Sequence, residues 1–132
     1  MIRRAYRAFG ERDVATLAEL AAKDIEVSTV TGLLAGRSEP YRGRAGIEDY
    51  FDDLASTWKK IELQPQSFHH LDEGQILVFG RVRAWHDRGL LDSSNAWLWT
   101  LRDGRVIAVR VFADPADARA LITGGSDPSD PG

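Results

Sequence analysis

Four side chains in this sequence could exchange protons with a substrate or orient one: Tyr6, Glu26, His70 and Asn95. Imidazole titrates near neutral pH, so His70 could act as a general base, although a histidine at a strand end beside a turn is more often exposed to water. Glu26 is the one carboxylate that no helix cap, turn or solvated helix face explains, and an acid/base role requires it to face inward.

Asn95 is a polar residue on the predicted inner face of its strand, and Tyr6 is a polar aromatic residue on the predicted first helix. A buried amide needs hydrogen-bond partners, so Asn95 either orients a bound carbonyl or hydroxyl group or bonds to a helix end or a water molecule. Tyr6 belongs to a helical apolar pattern, which favours a core or pocket-wall residue whose hydroxyl reaches a polar neighbour. The residue types leave catalysis and simple binding both open.

The histidines do not form the pattern of a metal site. His69 and His70 are adjacent, and adjacent side chains on a strand point to opposite faces. His86 lies near a hairpin end, where we expect it in solvent. The chain has no cysteine, which excludes disulfides, thiolate nucleophiles and thiolate-bound metals. We expect neither a metal nor a cofactor.

Length and composition predict one globular domain in the cytoplasm. Of 132 residues, 43% are hydrophobic and 28% charged, which suits a chain with a real core. A formal net charge of -3 provides no basic surface for nucleic acid. No apolar run is long enough for a membrane span, and MIRRAYRAFGERD lacks the apolar segment of a secretory signal. We expect neither nucleic acid nor a membrane as a partner.

The first half of the chain is predicted to be mainly helical. Apolar spacing predicts two short helices, separated by Gly10 and by the N-cap Asp13, and then a strand over 25–29. TGLLAGRSEPYRGRAG is rich in Gly and Pro and predicts a loop. A longer helix from Ile47 carries an apolar stripe made of Ile47, Tyr50, Phe51, Leu54 and Trp58.

Strand patterns follow, at 62–71, 75–86, 91–101 and 105–112. DEG and RDG each predict a three-residue hairpin turn that ends in a left-handed glycine. Asp114 caps a last short helix, and GGSDPSDPG predicts a disordered tail. The domain therefore spans 1–123 and the tail 124–132.

The predicted turns fix which strand residues face each other. A three-residue RDG turn pairs Trp99 with Ile107 and Trp97 with Val109. A middle hairpin with consistent alternation sets Gly80 opposite Trp97, where a bare backbone leaves room for an indole ring.

Three stretches of this sequence resemble the SnoaL-like branch of the nuclear transport factor 2 superfamily: YRAFGERDVATLAEL, YRGRAGIEDYF and WTLRDGRVIAVRVFADPADARAL. The resemblance implies an α+β fold in which a curved antiparallel sheet wraps around a long helix, giving a cone-like barrel with a central pocket. The resemblance does not specify a function, because the superfamily includes isomerases, cyclases, epoxide hydrolases, binding subunits and non-enzymatic adaptors.

The resemblance also tests the cyclase mechanism residue by residue. SnoaL-like cyclases carry an acid/base Asp on the last strand, and that position falls on Val111 here. On the strand before it, these enzymes carry a His, whose position falls on Trp97, and a further polar residue, whose position falls on Asn95. Of these three positions, only that of Asn95 holds a polar residue here. Valine cannot transfer protons, so the sequence keeps the fold and lacks the cyclase residues.

Alternation places a set of mostly apolar side chains towards the pocket of this expected fold. The residues predicted to bind a ligand are Trp97, Trp99, Asn95, Phe68, His70, Val82, Val109, Val111, Tyr50, Leu54 and Trp58. An apolar, aromatic cavity with one or two polar anchors suits a small apolar or aromatic molecule. The alternatives are a cofactor-independent isomerase, a polyketide-cyclase-like or epoxide-hydrolase-like enzyme, or a non-enzymatic dimeric assembly module.

The opposite sheet face mixes aromatic, aliphatic and Arg residues: His69, Phe79, Arg81, Arg83, Trp85, Leu98, Thr100, Arg110 and Phe112. Protein interfaces tend to have this composition, and members of the resembling family often dimerise through the outer sheet face. We therefore expect a homodimer, with a solvent-facing sheet covered by long Arg side chains as the alternative.

Overall fold

The computed structural model describes residues 2–29, 36, 39–71 and 74–126. Helices and strands follow in the order α1 (Ile2–Gly10), α2 (Val14–Leu20), β1 (Ala21–Ser28), β2 (Tyr41–Arg42), α3 (Gly43–Thr57), β3 (Lys60–His70), β4 (Gln75–His86), β5 (Gly89–Arg102), β6 (Arg105–Phe112) and α4 (Pro115–Ser126). The predicted α+β class is confirmed. None of the described helices is both long and apolar enough to cross a membrane.

The N-terminal helix pair forms where the sequence predicts it. Asp13 caps α2: the backbone N–H of Thr16 donates to Asp13 Oδ1 at 3.1 Å, and the Thr16 hydroxyl donates to Oδ2 at 2.6 Å. These hydrogen bonds to the ionised form lower the pKa of the Asp13 carboxyl. The cap sets the direction of α2 towards the sheet, with Leu20 buried.

The long helix α3 begins at Gly43, four residues before the predicted Ile47. The predicted loop therefore ends earlier, in strand β2 and the first turn of α3; its residues 31–35, 37 and 38 lie outside the described part of the chain. Gly46 lies within the helix because a Cβ there would come within 2.8 Å of the Tyr41 carbonyl carbon. This glycine serves close helix–strand packing, whereas in sequence it resembles a loop residue.

The strands form one six-stranded sheet in the order β2-β1-β6-β5-β4-β3. All neighbouring pairs are antiparallel except β1 and β6, which run parallel; the long helix α3 and the four strands β2 to β5 lie between them in sequence. The inner face of this curved sheet packs against α1, α2 and α3 to form the main hydrophobic core. The expected cone-like architecture is confirmed.

The β5–β6 hairpin departs from its predicted register twice. Arg102 pairs with Arg105, so the turn contains two residues instead of three. Ile107 is then the extra residue of a bulge, since Leu101 pairs with Val106 and Thr100 with Ala108. Each departure shifts the pairing by one residue.

The two shifts add, so the predicted partners are wrong and the predicted faces are kept. Trp97 pairs with Val111 and Trp99 with Val109. Because side chains alternate with a period of two, a total shift of two residues leaves both indoles on the inner face. In the β4–β5 hairpin, a two-residue turn likewise places Val78, not Gly80, opposite Trp97.

Gly80 instead faces β3, where that strand bulges. Gly80 pairs with Pro65, and the register shifts between Pro65 and Ser67. A Cβ at Gly80 would overlap the Gln64 carbonyl oxygen. The glycine is needed for this approach of two backbones and not to accommodate an indole ring.

The last helix packs on part of the outer sheet face. Ala118 of α4 packs with Leu77, Ala96 and Phe112 in a second core, joined by the partly buried Phe79 and Leu98. The prediction that Phe79, Leu98 and Phe112 are open to a partner is therefore wrong. The helix extends to Ser126 and so includes residues 124–126 of the predicted tail, while 127–132 lie outside the described residues.

Candidate ligand-binding cavity

An inner chamber of about 90 Å³ lies between the three N-terminal helices and the sheet. Its walls are almost entirely apolar and aromatic: Ala5, Tyr6, Phe9, Leu17, Leu20, Ala21, Ile25, Val27, Thr29, Ile47, Tyr50, Phe51, Leu63, Trp97, Trp99, Val106, Val109 and Val111. Small residues of the helices and β-branched residues of the strands leave this space, which the two indole rings border from the sheet.

A second, wider chamber of about 280 Å³ adjoins the first. Its walls add the polar pair Ser93 and Asn95 to apolar residues: Thr29, Tyr50, Trp58, Ile61, Leu63, Val82, Leu91, Ser93, Asn95, Trp97, Val111 and Ala113. Trp97 and Tyr50 line both chambers, so the two lie side by side. Since a cavity of roughly 150 Å³ holds benzene, the wider chamber has room for about two such rings.

Tyr6 joins the two tryptophans at the inner end. Its ring meets Trp97 edge to face at 5.6 Å between centroids and Trp99 at 5.4 Å. Trp99 Nε1–H donates a hydrogen bond to Tyr6 Oη at 3.2 Å, so a buried indole N–H has its acceptor. Burial raises the pKa of the Tyr6 phenol, against the smaller lowering effect of this hydrogen bond. Tyr6 is therefore neutral at physiological pH, and the expected polar neighbour is Trp99.

Asn95 has its partner on its own strand. Ser93 Oγ–H donates to Asn95 Oδ1 at 2.8 Å, and Asn95 is 7% exposed. The two residues are two positions apart and therefore share the inner face. Sequence reasoning expected the partner on a helix end or in water, although the same alternation could have identified Ser93.

Tyr50 lies at the junction of the two chambers. Its ring is 5.2 Å from that of Tyr41, whose hydroxyl donates to Asp53 Oδ2 at 2.6 Å. Burial, and to a lesser degree the neighbouring Tyr41, raises the pKa of the Tyr50 phenol. Like Tyr6, Tyr50 therefore offers the cavity an uncharged hydroxyl group.

Eight of the eleven predicted ligand-binding residues lie on the cavity walls: Trp97, Trp99, Asn95, Val82, Val109, Val111, Tyr50 and Trp58. Three do not. His70 is exposed, Leu54 is buried away from both chambers, and Phe68 packs at the edge of the main core beneath the Arg3 guanidinium at 4.5 Å. Whether the eight contact a ligand stays a prediction.

Two of the four acid/base candidates lie away from the cavity. Glu26 faces solvent and pairs with Arg42 at 3.3 Å, because it alternates with the inward-facing Ile25 and Val27 on β1. His70 is exposed at the end of β3 and lines neither chamber. A proton-transfer role in the cavity for either residue is therefore contradicted by its position.

Sequence reasoning missed several wall residues from β1 and β3. Ile25, Val27 and Thr29 belong to the strand predicted over 25–29, yet the parallel pairing of β1 with β6 that brings this segment to the cavity has no local signal. Leu63 was missed because the β3 bulge after Pro65 changes which residues face inward.

An α+β cone with a helix-covered sheet and an apolar cavity defines the nuclear transport factor 2-like class of fold. The chain matches the SnoaL-like domain family over residues 2–109 and belongs to that family, which confirms the resemblance found in the sequence. A search of curated proteins gave no match.

Solved structures share this fold. TerC, co-crystallised with polyporic acid, is 24% identical, with 92% of this chain and 94% of that chain covered at a TM-score of 0.76. A nuclear transport factor 2-like protein of unknown function from Burkholderia pseudomallei is 22% identical, with 92% and 94% covered at 0.76. Bal32a, from a soil-derived mobile gene cassette, is 25% identical over 83% of each chain at 0.71.

Proposed function

We propose that this protein binds a small, flat, largely apolar molecule in the cavity bordered by Trp97 and Trp99. The observation that carries the proposal is the apolar space between the indoles and the helices, in two adjoining chambers with few polar groups at defined positions. Small-molecule sites commonly combine apolar walls with a small number of placed polar groups. Two indoles supply flat contact area that suits an aromatic or polycyclic ligand.

The enzyme alternatives receive less support. None of the described residues that line the two chambers is an Asp, Glu, His, Lys or Arg. General acid–base catalysis needs a group whose pKa lies near the working pH, and the cavity tyrosines have raised pKa values. Binding without proton transfer is therefore the function that we propose, in the cytoplasm.

Tryptophan fluorescence tests this proposal directly. The protein is titrated with polycyclic aromatics, steroids, terpenoids and polyporic acid, the compound co-crystallised with the structural neighbour TerC. We expect saturable quenching by at least one flat aromatic compound, lost in Trp97→Phe and Trp99→Phe. Trp85→Phe is the matched control, because Trp85 lies on the other sheet face beside Arg83 and should leave the binding curve unchanged. Folded protein that responds to no compound would contradict the proposal.

We also propose that a second copy of the chain packs on the part of the outer face that α4 leaves open. Leu90, 44% exposed, pairs with Trp85, and the Arg83 guanidinium lies 5.2 Å from the Trp85 ring centroid. Beside them, Arg81 and Asp92 form an ion pair at 2.7 Å. Aromatic and Arg residues around an apolar centre are enriched in interfaces.

Light scattering of the purified protein tests this second proposal. A dimer that becomes a monomer in Arg83→Glu, and stays a dimer in the control Arg4→Glu on α1, would support it. A monomeric wild-type protein would refute it. A dimer together with an absence of ligand binding would favour the alternative of an assembly module.

A further inference from the structure

Tyr6 has a hydroxyl hydrogen that no described residue accepts. Its oxygen already accepts the Trp99 indole N–H at 3.2 Å, so the phenolic hydrogen must point away from that bond. Tyr6 is 9% exposed and lies on the wall of the inner chamber. Buried hydrogen-bond donors are nearly always satisfied, and the cavity is the space that this O–H faces.

Asn95 presents a second such donor in the wider chamber. Ser93 donates to Asn95 Oδ1 at 2.8 Å, and in this arrangement Nδ2 is directed away from Ser93. Within the part of the chain that the structure describes, Nδ2 has no acceptor. The side chain is 7% exposed, so these N–H groups too depend on the contents of the cavity.

The two donors lie at opposite ends of the aromatic wall. Asn95, Trp97 and Trp99 alternate along β5, so the first and last Cα atoms are about 13 Å apart at the usual rise per strand residue. Tyr6 is bonded at the Trp99 end, and Trp97, which lines both chambers, lies between the donors. A flat molecule lying along the wall would meet one donor at each end.

The described walls also offer nothing to balance a charge. They carry no basic or acidic side chain, and both cavity tyrosines remain protonated because burial raises the pKa of each. Burying an ion without a partner is strongly unfavourable. The cavity thus favours an uncharged ligand.

We infer that the ligand is an uncharged, flat molecule with an acceptor oxygen at each end, one bonded by Tyr6 O–H and the other by Asn95 Nδ2–H. Aromatic diketones have this chemistry. The inference rests on the proposed binding function and specifies its ligand class.

Isothermal titration calorimetry with four matched naphthalenes tests it. The probes carry acetyl groups at both ends, one acetyl group, ethyl groups at both ends, or one acetyl group and one carboxylate. A hydrogen bond is worth roughly threefold to tenfold in affinity. We expect the diacetyl compound to bind tightest, the loss of each acetyl group to weaken binding by about that factor, and the carboxylate to bind more weakly than the monoacetyl compound.

Two variants show which donor bonds the acetyl group at each end of the ligand. Tyr6→Phe and Asn95→Leu should each reduce the affinity for the diacetyl compound to about that of the monoacetyl compound, with affinity for the diethyl compound unchanged. Glu26→Gln, on the solvent side of β1, is the control and should bind all four as the wild type does. Circular dichroism verifies that each variant is folded.

The outcomes separate the inference from the proposed function. Equal affinities of the wild type for the diethyl and diacetyl compounds would overturn the inference and leave binding in the cavity intact. Tightest binding of the carboxylate would overturn it as well. Absence of binding by all four, with the broader fluorescence panel also silent, would overturn both.

Discussion

Replacing Gly80 by alanine should destabilise the protein far more than its small size suggests. The added Cβ would overlap the Gln64 carbonyl oxygen and would lie 2.9 Å from the Pro65 Cα. Both atoms belong to the backbone of β3, so no side-chain rotation can relieve the overlap. Strand β3 would have to move away from β4 at its bulge, which loosens the sheet beside Asn95, the β5 partner of Gly80.

The magnitude follows from the nature of the contact. Overpacking a filled core typically costs about 1–3 kcal/mol. Because the obstacle here is backbone, we expect the upper end, about 3 kcal/mol, which is a large share of the roughly 5–15 kcal/mol of a typical domain. At about 4 °C per kcal/mol for a chain of this length, the melting temperature should fall by roughly 10 °C.

Thermal unfolding followed by circular dichroism measures the effect, with Gly10→Ala as the matched control. Gly10 ends α1, and a Cβ there meets no atom within 4 Å. The control should be neutral or stabilised by about 0.5 kcal/mol, through a reduced entropy of the unfolded chain. Equal melting temperatures for the two variants would refute the described approach of β3 to β4.

Further predictions concern the buried hydroxyls and the helix cap. Tyr6→Phe leaves the Trp99 indole N–H without its acceptor and should lower the free energy of unfolding by about 1–3 kcal/mol, and an unchanged denaturant midpoint would contradict the bond. Because burial raises the pKa of Tyr6 and Tyr50, the unfolded chain loses these protons first, so stability should fall above pH 10 by about 1.4 kcal/mol per pH unit per tyrosine. Denaturation at several alkaline pH values checks this, and the slope should be halved in Tyr50→Phe; an equal slope would contradict it. Asp13→Ala removes the α2 cap, while Asp13→Asn keeps an acceptor for Thr16. Since the pKa of Asp13 is lowered, the ionised carboxylate stabilises the folded state. The difference in free energy of unfolding between wild type and Asp13→Asn should therefore be full above the ordinary carboxyl pKa and should vanish as pH falls through the lowered one.

The inner and outer faces of the sheet could be predicted from the sequence because they depend on alternation alone. Trp97 and Trp99 face the cavity although both pairing partners were wrong, since the short turn and the Ile107 bulge shifted the register by two residues together. A single shift would have moved both indoles to the outer face. The predicted faces of Trp97 and Trp99 therefore agree with the structure partly because the two errors in register, at the turn and at the bulge, have the same direction.

Other features depend on contacts distant in sequence. Glu26 could not be assigned to a face until β1 was paired with β6, because a lone strand gives its alternation and not its neighbours. In sequence, Gly46 resembles a loop residue and Gly80 resembles a residue that leaves room for an indole ring. Both glycines instead permit a close backbone approach that only the tertiary structure reveals. The cavity's polar groups became interpretable only when Tyr6, from α1, was found bonded to Trp99 on β5.

The four tryptophans allow the central claim to be tested in one spectrum. Indole N–H signals of isotope-labelled protein are followed by heteronuclear NMR while monoacetylnaphthalene is added. Occupation of the cavity predicts shifts for Trp97 and Trp99, and for Trp58 on the wall of the wider chamber, with Trp85 on the outer face unaffected. Shifts confined to Trp85, with the three cavity signals unchanged, would contradict the account and assign binding to the outer sheet face.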